Sequence, residues 1–410
     1  MEYCCSSTKK GKKLLSFHNL PLCNRFLKKS YEKEYKKKLI LLCCPTCGLL
    51  RLKTSVPKKE IMPKFKWLTY NEPTSHLNNL KKEATKLFPK KNIFICGMTY
   101  KDDPLLNKFE ESFKKYRINP IKDMNLKISN VASEGILPNF TKKNISKFLK
   151  KNKKPDLLIA RHILEHAPSM GNLLDKVKIF VKINGYIIFE VPDCSKQIKF
   201  KDYTMLWEEH MVYFTEDTLK SYFKKNYTKM KLVKFLRYKN GHEDTLIVIL
   251  KNVVQETNKK KNIIKNKNII KNKNIINYGK SFLNVKNDIH KNLKEFSKKY
   301  KNVFMLGAGH HSIIFINTMK IAKYLKFMID ENKFKQKLFM PGSKIKIRGI
   351  EHLYKDNYSK SLCLTTLNKN ALIKIKKNKK IKRNKIKFIS IYPYQKTNSI
   401  YKKNYENFKN

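Results

Sequence analysis

Apolar residues in this chain fall in short runs separated by amphipathic stretches, and the order of the two kinds sets the expected architecture. NIFICG, ending at Gly97, reads as a buried strand, and DDPLLNKFEESFKKY after it reads as a helix. DLLIAR is a second strand and HAPSMGNLLDKVKIFV the helix that follows. YIIFEV is a third strand, TEDTLKSYFKK a helix opened by Thr215 with Glu216 and Asp217 in its first turn, and LIVIL closes the region. Strand and helix alternating in this way predict a doubly wound α/β sheet, with ligands at the carboxyl ends of its strands. A last α/β unit is expected from NVFMLGAGHHS through YLKFMIDEN to ISIYP. Its Gly307-Ala308-Gly309 turn resembles a phosphate loop but lacks the third glycine of a dinucleotide fingerprint.

Two segments stand outside that alternation. Near the start, the apolar runs LILLC and LLRL flank Cys44-Pro-Thr-Cys47-Gly48, a knuckle that aims two thiolates at one centre. Zinc needs four ligands; Cys4 and Cys5 are the expected second pair, although adjacent cysteines seldom ligate one ion together, which leaves His18 or Cys23 to complete the set. Residues 255–277 repeat KNKNII with little variety and read as a linker or a lysine-rich helix. The pattern divides the chain into residues 1–80, a small zinc-binding module; 85–255, an α/β domain; 256–300, linker and helix; and 301–410, a second Rossmann-like domain.

Composition changes the picture little. The formal charge is +59, but only seven of the 91 basic residues are arginine, and lysine, asparagine and isoleucine are abundant together. A protein built to grip phosphate keeps more arginine, whose fork binds it bidentately, so no specific nucleic-acid partner is expected and the basic surface is read as solvated lysine. A basic nucleic-acid binder is retained only as the third functional reading. No run approaches the ~20 apolar residues of a membrane span, and MEYCCSSTKKGKK lacks the apolar core of a signal peptide. Nine cysteines without such a signal point to reduced thiols or metal and to a cytoplasmic setting.

Candidate chemistry concentrates between Leu157 and Leu219, where LLIARHILEHAPS, GYIIFEVPDC and DYTMLWEEHMVYFTEDTL bring His162, His166, His210 and several acids close in sequence. His162 and His166 have the i, i+4 spacing of two zinc ligands on a helix, but HILEH lacks the HExxH order of a metalloprotease.

The motifs ARHILEH, GYIIFEVPD and LWEEHMVYF, with the early CPTCG and the late GAGHHS and DENKFKQKLFMPGS, together resemble the nucleotide-sugar C-methyltransferases over nearly the whole chain. The resemblance implies a zinc-binding N-terminal domain, a central S-adenosylmethionine (SAM) domain and a C-terminal Rossmann-like C-methyltransferase domain. It implies methylation of a carbon beside a ketone, on a nucleotide-linked sugar or related keto substrate, through an enolate. By the same resemblance His210 is the base, Glu209 orients it or binds the sugar, Tyr213 lines the pocket, and Tyr70 in WLTYNEPTSHL supplies a phenol to the enolate oxygen. Arg161 and His162 border the cofactor pocket, Gly97 is the one glycine of the cofactor turn, and Asn119 stands where an acid normally binds the ribose hydroxyls, with Asp102 or Asp103 as substitutes. The altered turn also motivates a second reading, a methyltransferase-like binding protein without catalysis. The oligomeric state is not legible.

Overall fold

The computed structural model describes residues 11–65, 67–68, 72–88, 92–129, 131–225, 230–254, 273–354, 358–395 and 399–401. The chain forms two compact units, one of Met1–Lys13, Leu41–Ser195 and Glu209–Lys271, the other of Leu14–Ile40, Lys196–Glu208 and Asn272–Asn410. Three strands come first: β1 (Lys12–Pro21), β2 (Lys36–Cys43) and β3 (Leu50–Leu52).

The first unit is built on a six-stranded sheet. Its strands are β4 (Phe94–Gly97), β5 (Lys114–Arg117), β6 (Leu157–Arg161) and β7 (Tyr186–Asp193), followed after the short β8 (Val212–Tyr213) by β9 (Met230–Tyr238) and β10 (Asp244–Asn252). The order is β5-β4-β6-β7-β10-β9. β4 runs parallel to β5 and β6, and β6 parallel to β7, whereas β10 is antiparallel to both β7 and β9. Every residue of β4 and β6 is buried, as expected of parallel strands covered on both faces. Each Ile or Leu in that layer contributes about 1.5–3 kcal/mol relative to an exposed position. The expected strands NIFICG, DLLIAR, YIIFEV and LIVIL lie in β4, β6, β7 and β10.

The helix expected over DDPLLNKFEESFKKY is a different object. Thr99 and Asp102 form a capping box on a 3-10 turn, Tyr100–Asp102, and a single helical turn, Asp103–Leu106, follows it. The chain then turns and enters β5 at Lys114, so KKYR belongs to the sheet. Hydrogen bonding to β4 outweighs the helical charge pattern of that segment. The helix after β6 does form, over Met170–Phe180, with the Ser169 hydroxyl accepting from the Asn172 N–H at 3.1 Å.

Between β2 and β3 the CPTCG knuckle closes through Gly48 N–H to Cys44 C=O (3.0 Å) and Cys44 N–H to Leu49 C=O (2.9 Å), with Gly48 at φ 75°. β3 then pairs with β8, Leu50 opposite Tyr213 and Arg51 opposite Val212. The knuckle thereby fixes the strand that carries Tyr213.

The second unit holds a five-stranded parallel sheet, order β13-β12-β11-β14-β15, made of β11 (Val303–Leu306), β12 (Met328–Ile329), β13 (Ile347–Arg348), β14 (Leu362–Thr365) and β15 (Lys387–Ser390). Gly307 follows β11 at φ 100°, and Gly309 caps the helix His310–Met319. The expected helix ahead of Tyr300 spans Phe282–Lys299. Residues 255–272 of the low-complexity stretch lie outside the described residues. The parallel sheets confirm the α/β class.

A Cβ at Gly307 would meet the Thr366 hydroxyl, and its backbone sits where side chains are strained, whereas Gly309 has open space around it and φ −106°. Gly307→Ala is expected to cost about 1–3 kcal/mol, lowering the melting temperature by several degrees, and Gly309→Ala to stay within about 0.5 kcal/mol. Thermal denaturation of the pair checks this; equal effects would contradict it.

Candidate functional site

At the carboxyl ends of β6 and β7 the register places Arg161 directly opposite Glu190. Both are fully buried, and they form a two-point ion pair, Nε to Oε2 at 2.7 Å and Nη2 to Oε1 at 3.0 Å. Two more of the arginine hydrogens go to backbone carbonyls, Lys101 at 2.6 Å and Pro73 at 2.7 Å. Arg161 is thus consumed in tying β6, β7, the turn after β4 and the segment around Pro73.

His162, the next residue, has φ 52°, a conformation uncommon outside glycine. That turn aims its ring at carboxylates: Nδ1 lies 3.2 Å from Glu165 Oε1, and Nε2 lies 3.2 Å from Glu190 Oε1 and 3.4 Å from Glu72 Oε2. Burial works to lower its pKa, but Glu72, with Glu165 and Glu190, raises it to about 10, so the ring is an imidazolium at neutral pH. Glu72 itself, against its burial, is brought down to about 2 by His162 and Lys101, whose ammonium it meets at 2.5 Å. Burial also opposes the charge on Glu190, yet His162, His76 and Arg161 hold it well below the usual carboxylate range. Lys101, Glu72, His76 and Glu190 were not among the residues singled out from sequence. Glu72 and His76 sit inside the WLTYNEPTSHL motif, and Glu190 sits inside YIIFEVPD.

The spacing of His162 and His166 does not make a helical pair. Leu164–His166 is one 3-10 turn, and His166 instead meets His210, ring centroids 4.7 Å apart and nearly perpendicular. Burial, reinforced by the cationic neighbours Lys101 and His162, lowers both rings well below the ordinary histidine value and keeps them neutral. Tyr213 is buried with its ring centroid 6.2 Å from that of His210, and buried Glu209 hydrogen-bonds His166 through its backbone. Half-buried Glu243, another residue the sequence did not single out, has its carboxyl raised to about 7 by burial, with His162 opposing and Glu72 and Glu165 adding. A cleft opens beside the two histidines, lined by Ala167 and Met211, which directly follow them, and by Arg51, Ser169, Met170 and Tyr222. Tyr70 lies outside the described residues.

The residues expected at the cofactor are placed less simply. Gly97 ends β4, and a Cβ there would strike Leu106 and Asp102. Asp102 is fully buried with both oxygens engaged, Oδ1 by Arg161 N–H at 2.8 Å and Oδ2 by Thr99 N–H at 2.8 Å. Its carboxyl, raised to about 7 by burial against those hydrogen bonds, holds the loop together. Asp103 faces Arg117 at 3.0 Å. The side-chain oxygen of Asn119 accepts from the N–H groups of Ile121 and Lys122, both at 3.0 Å. That turn delivers Asp123, nearly buried, to the end of β5, where it accepts from Tyr116 and from Asn119 N–H, both at 2.7 Å. An acid therefore does stand at this strand end, four residues beyond the position read from sequence.

Cys44 is buried and Cys47 half-buried in the knuckle; Cys4 and Cys5 lie outside the described residues. Neighbouring Cys43 turns its thiol toward Cys44 C=O and Gly48 C=O, and burial pushes it up to about 11. Cys23, in the second unit, gives its N–H and its thiol to the Glu208 carboxylate at 2.5 and 3.3 Å.

Comparison with known families decides the enzyme class. Residues 108–226 match a family model described as a methyltransferase domain, and residues 250–403 match one described as a C-methyltransferase C-terminal domain. The chain is a methyltransferase whose C-terminal part is similar to the C-methyltransferase C-terminal domain. No curated protein matches this methyltransferase. Solved structures similar to it include the N-methyltransferase NodS from Bradyrhizobium japonicum WM9 (9% identity, 44% of this chain and 94% of that one, TM-score 0.26). They also include the CurJ carbon methyltransferase (12%, 44% and 54%, TM-score 0.28). A third is the magnesium protoporphyrin IX methyltransferase from Synechocystis PCC 6803 with bound SAH (9%, 44% and 83%, TM-score 0.30).

The charge network of this methyltransferase has a pH signature. His162 holds its proton more tightly folded than unfolded, so its contribution to stability is complete below pH 6.5 and is lost as pH rises through about 10. Glu72 works in the opposite direction, contributing above pH 4.5 and losing that contribution as pH falls through about 2. Wild type should therefore lose more stability between pH 7 and 10 than His162→Gln does, measured by urea denaturation. Parallel losses in the two proteins would contradict the assignment.

Proposed function

We propose that the methyltransferase transfers a methyl group to the carbon beside the ketone of a nucleotide-linked keto sugar or a related keto substrate, with His210 accepting the proton from that carbon. The observation that carries this reading is the placement of His210, its ring packed on His166 and close to Tyr213, beside a cleft with Arg51 on its wall. A neutral imidazole can take a proton at working pH. The imidazolium so formed would gain from Glu72, whose charge already acts to raise the His210 pKa. Tyr213 is the residue proposed to line the substrate pocket, Glu209, whose backbone bonds His166, is proposed to orient the base or bind the sugar, and Tyr70 is the phenol proposed for the enolate oxygen. Arg51 is suited to the anionic part of a nucleotide-linked substrate, because its guanidinium can pair with phosphate.

SAM, when bound, supplies an electrophilic methyl group. The residues at the carboxyl ends of β4 and β5 fit such a cofactor with one reassignment. Asp123 supplies the carboxylate for the ribose hydroxyls, with the Asn119 amide beside it, while Asp102 maintains the loop. Gly97, Arg161 and His162 border that position, the last two by anchoring the turn after β6. We assign residues 85–255 to SAM binding, and 301–410, with its glycine turn, to the C-methyltransferase C-terminal part. A cytoplasmic setting belongs to the same proposal, as does zinc in the tight knuckle that brings Cys44 and Cys47 together, with Cys4 and Cys5 as the proposed second pair. Among the described residues no helix is long and apolar enough to cross a membrane.

Titration of the full chain with SAM should show saturable binding, weakened about tenfold or more in Asp123→Asn and unchanged in Asp103→Asn. Loss in Asp103→Asn alone would return the ribose contact to that residue. His210→Gln should retain SAM binding and lower methyl transfer by about 10²–10⁴-fold, the usual contribution of a general base; transfer at the wild-type rate would remove His210 from the chemistry. Elemental analysis should find zinc bound in proportion to protein and reduced in Cys47→Ser, whereas a zinc-free protein would dismiss the metal module.

A further inference from the structure

The cluster at the end of β6 holds more ligating groups than proton transfer requires. Glu165, His166 and His210 each offer one donor atom, and these three atoms lie within 4.8 Å of one another. Glu165 is 1% exposed. One of its oxygens, Oε1, meets His162 at 3.2 Å, but Oε2 is shut from solvent and has no hydrogen-bond partner among the described residues. A buried carboxylate oxygen without a donor is costly, since its desolvation goes uncompensated. Nothing in the proton-transfer chemistry uses it.

We propose that Glu165, His166 and His210 form a binding site for a divalent transition-metal ion, with open positions left for water or a substrate oxygen. Two imidazoles and one carboxylate suit zinc, cobalt or iron of this charge. Metal–ligand bonds of about 2.0–2.2 Å require the three donors to close in by less than about 1 Å each. His162 acts as the supporting group, because its Nδ1 anchors the far oxygen of Glu165, the arrangement by which ligating carboxylates are oriented around metals. The surrounding charge is mixed: Lys101 and His162 act against a cation at the two rings, while Glu72 acts for it at His210 and Glu165 itself brings a carboxylate to the ion. The two histidines come from separate elements, the 3-10 turn Leu164–His166 and the approach to β8, so the ion would also cross-link them.

The site has a consequence for the proton-transfer reading. A neutral histidine has a single nitrogen lone pair free to accept a proton or a metal. Metal on His210 and a proton from the substrate therefore exclude one another, and occupancy switches the base off. Binding itself is independent of the proposed reaction; only the inhibition rests on it.

The test is cobalt(II) added to the full chain, followed by visible absorption. Binding at this site gives d–d bands without the near-ultraviolet thiolate band that a cysteine knuckle would add. The d–d signal is expected to survive Cys44→Ser and to weaken by at least about tenfold in affinity in Glu165→Gln and in His166→Gln. Circular dichroism establishes that both variants fold. X-ray absorption of the cobalt-loaded Cys44→Ser protein, needing no change at the site, should show a shell of nitrogen and oxygen alone. Absence of any thiolate-free cobalt binding, or equal binding by Glu165→Gln and wild type, would overturn the proposal. Where the site is present and methyl transfer is observed, zinc should inhibit transfer and a chelator restore it. Metal binding without such inhibition would leave the site standing and remove His210 as the base.

Discussion

The buried carboxylate of Glu190 organises the first unit. It faces Arg161 across adjacent parallel strands, His162 one residue further on, and His76 at 3.2 Å. Isolated in the interior, such a charge would cost several kcal/mol, so it exists only because three partners converge on it. Arg161 also gathers backbone groups from elsewhere in the unit. Arg161 holds the carbonyls of Lys101 and Pro73, and Asp102 receives the Arg161 N–H. The turn after β4, the segment around His76 and the ends of β6 and β7 are therefore one assembly. His162 keeps its left-handed backbone because three carboxylates hold its ring. That turn in turn sets Glu165 and His166 where they can meet His210.

The same geometry explains the use of arginine in a chain dominated by lysine. Arg161 pairs with Glu190, Arg117 with Asp103, and Arg237 with Asp193, Glu216 and Asp244. The planar fork that would grip phosphate is used in these places to tie acids within the fold. Lysine carries the bulk of the positive charge on its surface, where exposed ion pairs contribute little.

The strands were legible because burial on both faces leaves an unbroken apolar run, as in LLIA and LIVIL. The segment after Gly97 was not, because Asp, Glu and Lys at helical spacing there belong to a turn and an edge strand. The identity of the site was partly legible: His210 and Tyr213 stand in one motif and do come together. Its electrostatics were not. Glu72, Lys101, Glu190 and Glu243 are scattered along the chain, and only strand register and loop packing gather them around His162. Asp123 escaped notice because the turn it closes carries the chain past the strand end at which an acid was expected.

The protonation state of His162 follows directly from the convergence of Glu72, Glu165 and Glu190, and an NMR titration of histidine-labelled protein reads it. The His162 ring should remain protonated through neutral pH and release its proton near pH 10, while His166 and His210 show neutral rings throughout. A His162 resonance titrating near the ordinary histidine value would mean that the three carboxylates do not converge, and the arrangement of the site would fall with it.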